Sequence, residues 1–308
     1  MKLKNILWVL ALMYIVSCSS SGDVVEPTPE PLPDFPEEVN NLQKYAKDDE
    51  VKVMSFNVRL NSVEDGVNAW PYRKDAAIEM IKDHKPTLIG FQEAKYSDQW
   101  LFLKSALQND YDGWGLNRDN GKESGNGEVM GILYDKSKVK KLDGGTFWLS
   151  TTPDKVSKSW GSACYRTATW GVFEHIHTGK KFCYINTHLD HLSADAQVEG
   201  MRVIVNKFKE YNPDGYVELL SGDFNVTYDN VALEVLKDYM VNTRTAAPKG
   251  KTDSDRTTNG FKTSGGSIID HVYCTKGMEV VEYHTINENY GVTYISDHYP
   301  IYAIVSLR

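Results

Sequence analysis

The sequence has no excess of basic residues, and this deficiency excludes one mode of action. Of its 308 residues, 34 are Lys or Arg and 42 are Asp or Glu, so the formal net charge is −8. Proteins held to nucleic acid or anionic lipid by bulk electrostatic attraction are usually basic. That mode is therefore excluded, although a local basic cleft is not. With 41% hydrophobic residues the chain is globular, not disordered or collagen-like.

Cysteine is too scarce for a disulfide framework. The four cysteines are Cys18, Cys164, Cys183 and Cys274, and no Cys or His spacing among them is typical of a zinc site. Cys18 belongs to an N-terminal motif, which leaves an odd number for pairing. We therefore predict that the other three are buried free thiols.

The first 17 residues have the organisation of a secretory signal. Lys2 and Lys4 form a basic start, and residues 6–16 form an apolar run that is too short for a bilayer span of about 20 residues. The run ends in Ile-Val-Ser-Cys, which resembles a bacterial lipobox, so Cys18 is predicted to be the lipid-bearing first residue of the mature protein. An ordinary signal peptide with an incidental cysteine, or an uncleaved anchor, is the alternative.

A spacer and one domain are predicted to follow. Residues 18–50 are rich in Ser, Pro and acidic residues, and five of the eleven prolines lie between positions 27 and 36. Such a segment favours an extended, solvated tether. Residues 51–308 contain no second break of this kind and no repeat, so they are expected to form a single domain. The protein is thus predicted to be anchored by lipid in the bacterial cell envelope, on the periplasmic or the surface side of the outer membrane.

Strand-like and helix-like stretches are mixed along residues 51–308. The predicted strands are 51–56, 87–91, 129–134, 167–173, 181–187, 216–220, 267–273 and 299–305, and the predicted helices are 73–83, 194–209 and 230–237. A hairpin is expected around Gly179. The mixture favours an α+β or layered α/β domain with a mixed sheet.

Polar side chains that suit metal binding or catalysis stand where six of these strands end. They are Asn57, Glu93, His188, Asp223 with Asn225, Asp270, and Asp297 with His298. If the strand ends converge, they form a cluster of carboxylates and imidazoles. Close carboxylates repel one another unless a cation lies between them, and a hard divalent ion such as Mg²⁺ prefers oxygen ligands.

In this order the motifs resemble those of the endonuclease/exonuclease/phosphatase superfamily of metal-dependent hydrolases. The matching words are Ser-Phe-Asn57, Gln-Glu93, Asn-Thr-His188-Leu-Asp-His, Gly-Asp223-Phe-Asn225, Ile-Asp270-His and Ser-Asp297-His298-Tyr-Pro. The resemblance covers essentially all of residues 51–308. It implies an α+β fold, a four-layered α/β/β/α sandwich of two mixed sheets flanked by helices, and hydrolysis of a phosphoester. It does not imply one substrate, because the superfamily includes nucleases, deadenylases, inositol-phosphate phosphatases and sphingomyelinases.

The resemblance also implies a metal site. Glu93 resembles the principal ligand, with Asn57 and Asp297 near the same ion, which is expected to be Mg²⁺ with Mn²⁺ as the alternative. Many superfamily nucleases carry an acidic residue two positions after the motif Asn, where this chain has Arg59. Arg59 puts a second metal site in doubt and adds positive charge where a phosphate could bind.

The remaining motif residues carry the implied chemistry. Asp223 resembles the residue that orients or deprotonates the attacking water, and Asn225 the one that holds the phosphate or that water. His188 and His298 resemble the groups that stabilise the phosphoryl oxygens, and Asp270 resembles the acid that orients His298. Arg166 resembles a phosphate-binding Arg, whose planar guanidinium suits two phosphate oxygens.

Other features leave both a functional and a structural interpretation open. Asp190 and His191 follow His188 directly and could serve either purpose. The polar loop 117–128 is expected to border the cleft, and segment 249–266 either closes over substrate or is a surface loop. Trp70 could line a pocket, whereas His84, His175, His177 and His284 are interpreted as surface or structural residues.

Three functions agree with the sequence. The first is a Mg²⁺-dependent hydrolase of a small phosphorylated sugar or lipid head group, with the membrane contacted only through the lipid on Cys18 and no protein partner implied. The second is an exported nuclease, which the acidic charge disfavours. The third is a non-catalytic binding module, which the intact set of catalytic motifs disfavours.

Overall fold

The computed structural model describes residues 43, 45–248 and 254–308. These residues all fall in the compact unit Pro31–Arg308. The predicted signal peptide, Cys18 and most of the predicted tether lie outside the described residues. Among the described residues ahead of position 51, the backbone N–H of Gln43 donates to Glu282, and Glu50 already belongs to the first strand. No helix in the described ranges combines the length and the hydrophobicity needed to cross a membrane.

Two six-stranded mixed sheets form the centre of the domain. The first has the order β13-β14-β1-β2-β6-β4, and its strands are β13 (Val280–Thr285), β14 (Ile301–Ser306), β1 (Glu50–Asn57), β2 (Leu88–Gln92), β6 (Ile132–Asp135) and β4 (Tyr111–Trp114). The second has the order β11-β12-β10-β9-β8-β7, and its strands are β11 (Met240–Asn242), β12 (Asp270–Thr275), β10 (Val217–Asp223), β9 (Lys181–His188), β8 (Thr167–His175) and β7 (Val139–Trp148). A two-stranded ribbon pairs β3 (Ala94–Lys95) with β5 (Glu128–Val129).

In the part of the chain that the structure describes, four α-helices and three other helical segments accompany the sheets. The α-helices are α1 (Trp70–His84), α2 (Leu101–Leu107), α3 (Ala194–Tyr211) and α4 (Thr243–Ala246). Val63–Asn68 and Val231–Leu236 are 3₁₀ turns, and Tyr96–Trp100 is a π turn that leads into α2. Ser193 caps α3, because its side chain accepts from the N–H of Ala196. The two longest of these helices, α1 and α3, begin after the loops that follow β1 and β9.

Three apolar layers hold the sandwich together. One lies between the first sheet and helices α1 and α2 and contains Phe56, Phe91 and Trp100. The second lies between the two sheets, and the third joins the second sheet to α3. The α/β/β/α sandwich of two mixed sheets is therefore confirmed, because each sheet has one face on the other sheet and one face under helices.

The secondary structure agrees with most of the predicted elements. The hairpin around Gly179 is confirmed, since β8 and β9 pair antiparallel across it. The predicted strand 129–134 is divided into β5 and β6, and the predicted strand 267–273 begins only at Asp270. The three cysteines in the described part are free, as predicted, but Cys164 is half-buried, whereas Cys183 and Cys274 are buried.

Candidate active site

The register of the second sheet brings three of the expected residues side by side. Asp223, the last residue of β10, pairs with His188 at the end of β9 and with Asp270 at the start of β12. In the first sheet Asn57 pairs with Gln92, the residue before Glu93. The two sheets end at the same edge of the sandwich, so residues that are far apart in sequence meet there.

Asp223 is the hub of this cluster. Its Oδ2 accepts a hydrogen bond from the Asn57 amide at 2.9 Å, and the same oxygen lies 3.4 Å from His188 Nε2 and 3.8 Å from His298 Nε2. The carboxyl group is almost completely buried. Burial first, and the charge of Asp270 second, raise the pKa of Asp223 to about 7. The structure thus surrounds one buried carboxyl with three nitrogen-bearing side chains.

Glu93 lies on the other side of Asn57. The Asn57 amide donates to Glu93 Oε1 at 3.0 Å, and the N–H of Leu60 donates to Glu93 Oε2 at 3.0 Å. Burial alone would raise the pKa of Glu93, but His298 and these hydrogen bonds lower it overall. Glu93 is therefore held as a carboxylate.

These groups fit a divalent cation. One ligand atom from each of Glu93, His188 and Asp223 lies within 4.8 Å of the other two, and the same holds for Asp223, Asp270 and His298. Carboxylates this close repel one another unless positive charge is present. Asn57 turns its amide nitrogen to both acids, while its oxygen accepts from the N–H of Arg59 at 2.9 Å. A half-turn of the amide would exchange the two atoms, so Asn57 as a ligand stays a prediction.

Asp297 lies beside this cluster and faces Arg59. Its Oδ2 is 3.7 Å from Arg59 Nε, and Arg59 also pairs with Asp65 at 3.0 Å. Burial raises the pKa of Asp297, and the charge of Glu93 adds to this effect. The guanidinium of Arg59 is thus balanced by two acids. Arg59 therefore lies beside Asp297, and its pairing with Asp65 and Asp297 reduces the positive charge that its guanidinium offers to a phosphate.

The two active-site histidines have opposite electrostatic environments. Burial first, and then the positive charge of Arg166, lower the pKa of His188 well below its usual range, so this imidazole is neutral. Burial also acts to lower the pKa of His298, but Asp270 and Asp223 outweigh it and raise that pKa well above the usual range. Two titratable groups with pKa values moved apart are typical of sites that donate and accept protons.

Asp270 fixes the ring of His298. Asp270 Oδ2 lies 2.8 Å from His298 Nδ1, which leaves Nε2 directed towards Asp223. The described part of segment 249–266 supports the pair. Thr257 Oγ1 accepts from the N–H of Asp270, and Thr258 forms a β-bridge with His298. This part of the segment therefore contacts Asp270 and His298 through Thr257 and Thr258 and acts as a positioning element.

Three of the seven non-glycine residues with a positive φ in the described ranges lie at this edge of the sandwich. Asn225, Glu93 and Arg59 have positive φ angles of 54°, 62° and 54°. Non-glycine residues in this region cost free energy and persist where the surrounding structure holds them. The backbone N–H of Asn225 donates to Asp223 Oδ1 at 2.9 Å, and its amide donates to the carbonyl of Leu189. Asn225 thus joins the ends of β9 and β10.

Arg166 is also at the site, held by the residues that follow His188. Its Nε lies 3.4 Å from Asp190 Oδ2, and its Nη2 lies 2.8 Å from His191 Nδ1. Asp190 additionally accepts from Ser162 Oγ and from the backbone N–H groups of residues 163, 192 and 193. Asp190 is therefore a structural anchor, and His191 contacts Arg166 directly.

Two charged side chains were missed by the sequence analysis. Arg118, in loop 117–128, is buried and donates to Glu128 Oε1 at 2.6 Å. Its charge contributes to lowering the pKa of His188, which indicates that the loop borders the site. Arg73 is buried behind the loop after β1 and donates to the carbonyls of residues 58, 59, 68 and 295. The polar composition of loop 117–128 was the available signal for Arg118, whereas nothing local distinguished Arg73.

Trp70 does not line a pocket. Its side chain is 2% exposed and packs edge-on against Phe102 in the core beneath α1.

The four histidines that were interpreted as surface or structural residues lie outside the site, as predicted. His84, His175 and His284 are buried in the structure, and His177 is exposed.

The chain is similar to a known family and to several solved structures. The family model described as the Endonuclease/Exonuclease/phosphatase family matches residues 54–298. An endonuclease/exonuclease/phosphatase from Bacteroides vulgatus is 32% identical over 84% of this chain and 99% of its own, with a TM-score of 0.76. A family protein from Bacteroides thetaiotaomicron is 28% identical over 84% of this chain and 98% of its own, with a TM-score of 0.76.

A third relative has an assigned activity. A mannosyl-6-phosphatase from Bacteroides thetaiotaomicron is 28% identical over 82% of this chain and 98% of its own, with a TM-score of 0.74. No functionally curated protein matches the chain in sequence. The family match spans most of the chain and includes the strand ends that form the site. The chain therefore belongs to the endonuclease/exonuclease/phosphatase family of hydrolases.

Proposed function

We propose that the chain is a divalent-metal-dependent phosphatase that removes the phosphate of a small phosphorylated sugar. The observation that carries the reaction type is the position of Asp223, which lies within 3.8 Å of both His188 and His298 and shares the Asn57 amide with Glu93. The mannosyl-6-phosphatase relative supports the choice of a sugar phosphate over a nucleic acid. The acidic net charge of −8 agrees with this choice.

The residues of the chain divide the reaction among them. Asp223 orients the attacking water and accepts its proton, and protonated His298, held by Asp270, donates a hydrogen bond to a phosphoryl oxygen. Asp190 and His191 contact Nε and Nη2 of Arg166, and we assign the remaining nitrogen, Nη1, to a second phosphoryl oxygen. His188 and Asn225 complete the donors around the phosphate.

A divalent ion, Mg²⁺ for preference and Mn²⁺ as the alternative, is proposed at Glu93, Asn57 and Asp297. When bound it supplies positive charge to the phosphoryl oxygens. Glu93 is kept ionised by its partners, and Asp297 lies near enough for the two charges to influence each other. Oxygen donors of this kind suit a hard cation.

The experiment that tests this function measures product release with Mg²⁺ and with EDTA, namely inorganic phosphate from the monoesters and the cleaved alcohol or nucleotide fragments from the diesters. The substrates are mannose 6-phosphate, glucose 6-phosphate, an inositol monophosphate, a phospholipid head-group diester and single-stranded DNA, each offered to the wild type and to Asp223→Asn. We expect Mg²⁺-dependent release from a sugar phosphate that is lost in the variant. Cleavage of DNA in preference to every small ester would replace the proposal with an exported nuclease. Binding of a substrate without its turnover would replace it with a binding module.

We also propose that Cys18 carries a lipid that anchors the enzyme in the cell envelope. The basic start, the apolar run of residues 6–16 and the Ile-Val-Ser-Cys ending support this location. The test is fractionation of cells that express the full chain or its Cys18→Ala variant, with labelled palmitate in the medium. The full chain should be labelled and membrane-bound, and the variant should be unlabelled. An unlabelled full chain would contradict the anchor.

A further inference from the structure

Trp160 differs from the other tryptophans in the described part of the chain. Each of the others packs on an aromatic ring or donates its indole N–H to a carbonyl; they are Trp70, Trp100, Trp114, Trp148 and Trp170. Trp160 is half-buried and has neither kind of partner among the described residues. A large aromatic side chain that is held in place but not packed on another ring is available for a ligand.

The backbone around Trp160 is strained. Trp160 has a φ of 52° and Gly161 a φ of 70°. A bulky residue with a left-handed backbone conformation is an outlier that costs free energy, and such outliers cluster at ligand-binding sites. Glu93 and Asn225 have the same kind of backbone at the candidate active site. The strain at Trp160 indicates that the surrounding contacts hold its backbone in place.

Those contacts attach the loop 149–166, which joins β7 to β8, to the catalytic edge. The carbonyl of Trp160 accepts from Ser193 Oγ at 2.6 Å. Ser162 Oγ and the N–H of Ala163 both donate to Asp190 Oδ2, at 2.9 and 3.0 Å. Asp190 is two residues beyond His188. Trp160 is therefore fixed to the loop that begins at His188.

The end of the loop carries Arg166, whose guanidinium contacts the same Asp190 carboxylate. One buried acid thus positions both the proposed phosphate-binding Arg166 and the segment that presents Trp160. The segment that presents Trp160 is therefore a neighbouring surface for a substrate whose phosphate lies at Arg166 and His188. The loop carries two aromatic side chains, and Lys158 Nζ lies over the ring of Tyr165, 5.9 Å from its centroid, so the indole of Trp160 is the aromatic surface without such a partner among the described residues.

We propose that Trp160 forms the sugar subsite of the enzyme, where its indole face packs on the apolar face of a pyranose ring whose phosphate is bound by Arg166 and His188. This inference rests on the proposed function, because it assigns the group to which the phosphate is attached. Sugar rings expose C–H groups on one face, and a flat aromatic side chain buries that face without competing for the hydroxyl groups. Trp160 then determines substrate preference, and the chemical step depends on Asp223.

The test compares two esters and three variants. The esters are mannose 6-phosphate and ethyl phosphate, which has no sugar ring for the indole to pack on. The variants are Trp160→Ala, Trp160→Phe and, as the matched control, Tyr72→Ala, which removes an aromatic side chain that is 70% exposed on α1. Far-UV circular dichroism and a thermal melt confirm that each variant folds.

We expect Trp160→Ala to raise KM for mannose 6-phosphate with little change in kcat. The ratio of kcat/KM for mannose 6-phosphate to kcat/KM for ethyl phosphate should fall about tenfold, which is the size of one aromatic contact. Trp160→Phe should keep most of the ratio, and Tyr72→Ala should leave both esters unchanged. An unchanged ratio in Trp160→Ala would overturn the subsite. So would a preference for a nucleoside monophosphate that depends on Trp160, since the partner would then be a base.

Binding separates this inference from the proposed function. Calorimetry with mannose 6-phosphate uses an Asp223→Asn protein in the presence of Mg²⁺, with and without Trp160→Ala. Weaker binding on loss of the indole supports the subsite even if the wild type proves to turn over a different sugar ester. Equal affinity in the two proteins, or no binding in either, would exclude it. If the wild type releases no phosphate from any ester, the proposed function itself fails.

Discussion

Asp223 is the residue on which the proposed chemistry depends most. We expect Asp223→Asn to lower kcat by about 10²–10⁴-fold, the usual effect of losing a general base, because an amide cannot accept the proton of the attacking water. The Asn57 hydrogen bond to this position can be kept through the remaining oxygen, so the fold should be preserved. The assay is phosphate release at saturating substrate. Asp229→Asn, the same change at an exposed position six residues away, is the control. A variant with near wild-type kcat would refute the role.

Glu93 is expected to hold the metal more than the fold. Glu93→Gln keeps an oxygen that can accept from the N–H of Leu60 but removes the negative charge. Loss of residues that merely support a ligand costs 10–100-fold in metal affinity, so loss of the carboxylate should weaken Mg²⁺ binding by at least about tenfold. Calorimetric titration with Mg²⁺ measures the affinity, and a thermal melt in EDTA measures stability. Unchanged affinity would remove Glu93 from the ligand set.

Residues that lie at strand ends could be predicted from sequence, whereas residues that act across the fold could not. Asp223, His188 and Asp270 each follow an apolar run, and the register of the second sheet places them side by side. Arg73 donates to carbonyls that are distant in sequence, such as that of Ile295. Arg118 pairs with Glu128 within a loop that has no repeating pattern. Their importance arises from carbonyls and charges that only the tertiary structure brings to them. Asp190 could be named, but its hydrogen bonds to residues 162 and 163 could not.

At the scale of elements, the inner strands of the two sheets were predicted, whereas the four edge strands, β13, β4, β11 and β7, were missed. β2 and β9 carry unbroken runs, Leu-Ile-Gly-Phe and Phe-Cys-Tyr-Ile, whereas Lys52 interrupts the apolar residues of β1 and Glu218 those of β10. A predominantly apolar sequence is the pattern of strands covered on both faces. β7, Val-Lys-Lys-Leu-Asp-Gly-Gly-Thr-Phe-Trp, lies at a sheet edge and is partly exposed, so its sequence has neither alternation nor a continuous run. The predicted strand 267–273 starts late because Ser267 and Ile269 bond to Thr257 and Thr258 instead of a strand.

Gly90 sets the spacing of the two sheets. A Cβ added to Gly90 on β2 would lie 2.4 Å from both Asn186 Oδ1 and Tyr184 Oη, which project from β9. Neither neighbour can move freely, since Asn186 Oδ1 accepts from Gln92 and Tyr184 shares a hydrogen bond with Ser221. Gly90→Ala should therefore lower the free energy of unfolding by about 1–3 kcal/mol, as overpacking does in other cores.

Denaturant unfolding of Gly90→Ala measures this effect. The control is Gly200→Ala on α3, where the nearest atom, Leu149 Cδ1, is 3.3 Å away and the helical backbone suits alanine. The control should therefore change the free energy of unfolding much less than Gly90→Ala does. Equal midpoints for Gly90→Ala and the wild type would show that the sheets separate without cost at this point. The close approach of Gly90 on β2 to Asn186 and Tyr184 on β9 could not be predicted from the residue pattern of either strand.

At the scale of the whole molecule, the layered sandwich followed from the resemblance and not from periodicity. The runs in the sequence indicate strands and helices, but the order β13-β14-β1-β2-β6-β4 places β14, from the end of the chain, beside β1. Such pairings depend on contacts between residues some 250 positions apart, for example Glu50 with Ser306. No local pattern encodes that separation. The strand order could be predicted only from the order of the motifs along the chain, because these motifs resemble those of a family with one arrangement of strands.

The stability of the whole domain should depend on pH through a buried histidine remote from the site. His84, at the end of α1, packs against His284 and Tyr302 and lies near Lys52 and Glu288. Burial, and then the charge of Lys52, lower the pKa of His84 from 6.5 to about 4. The unfolded chain therefore binds a proton more readily than the folded one between these values. Stability is fully present above pH 6.5 and is lost as the pH falls towards 4.

His84→Phe removes this titration and should flatten that part of the pH profile. A pKa change of this size corresponds to at most about 3 kcal/mol of unfolding free energy between pH 6.5 and 4. The pKa of His175 is lowered as well, and buried carboxyl groups also make the unfolding free energy depend on pH. The prediction therefore concerns the difference in unfolding free energy between the wild type and the variant. Denaturant unfolding at roughly pH 7.0, 5.5 and 4.5 measures this difference in unfolding free energy. The control is His177→Gln, at an exposed histidine. Parallel profiles for wild type and His84→Phe would contradict the assignment, because a neutral buried imidazole must oppose protonation of the folded state.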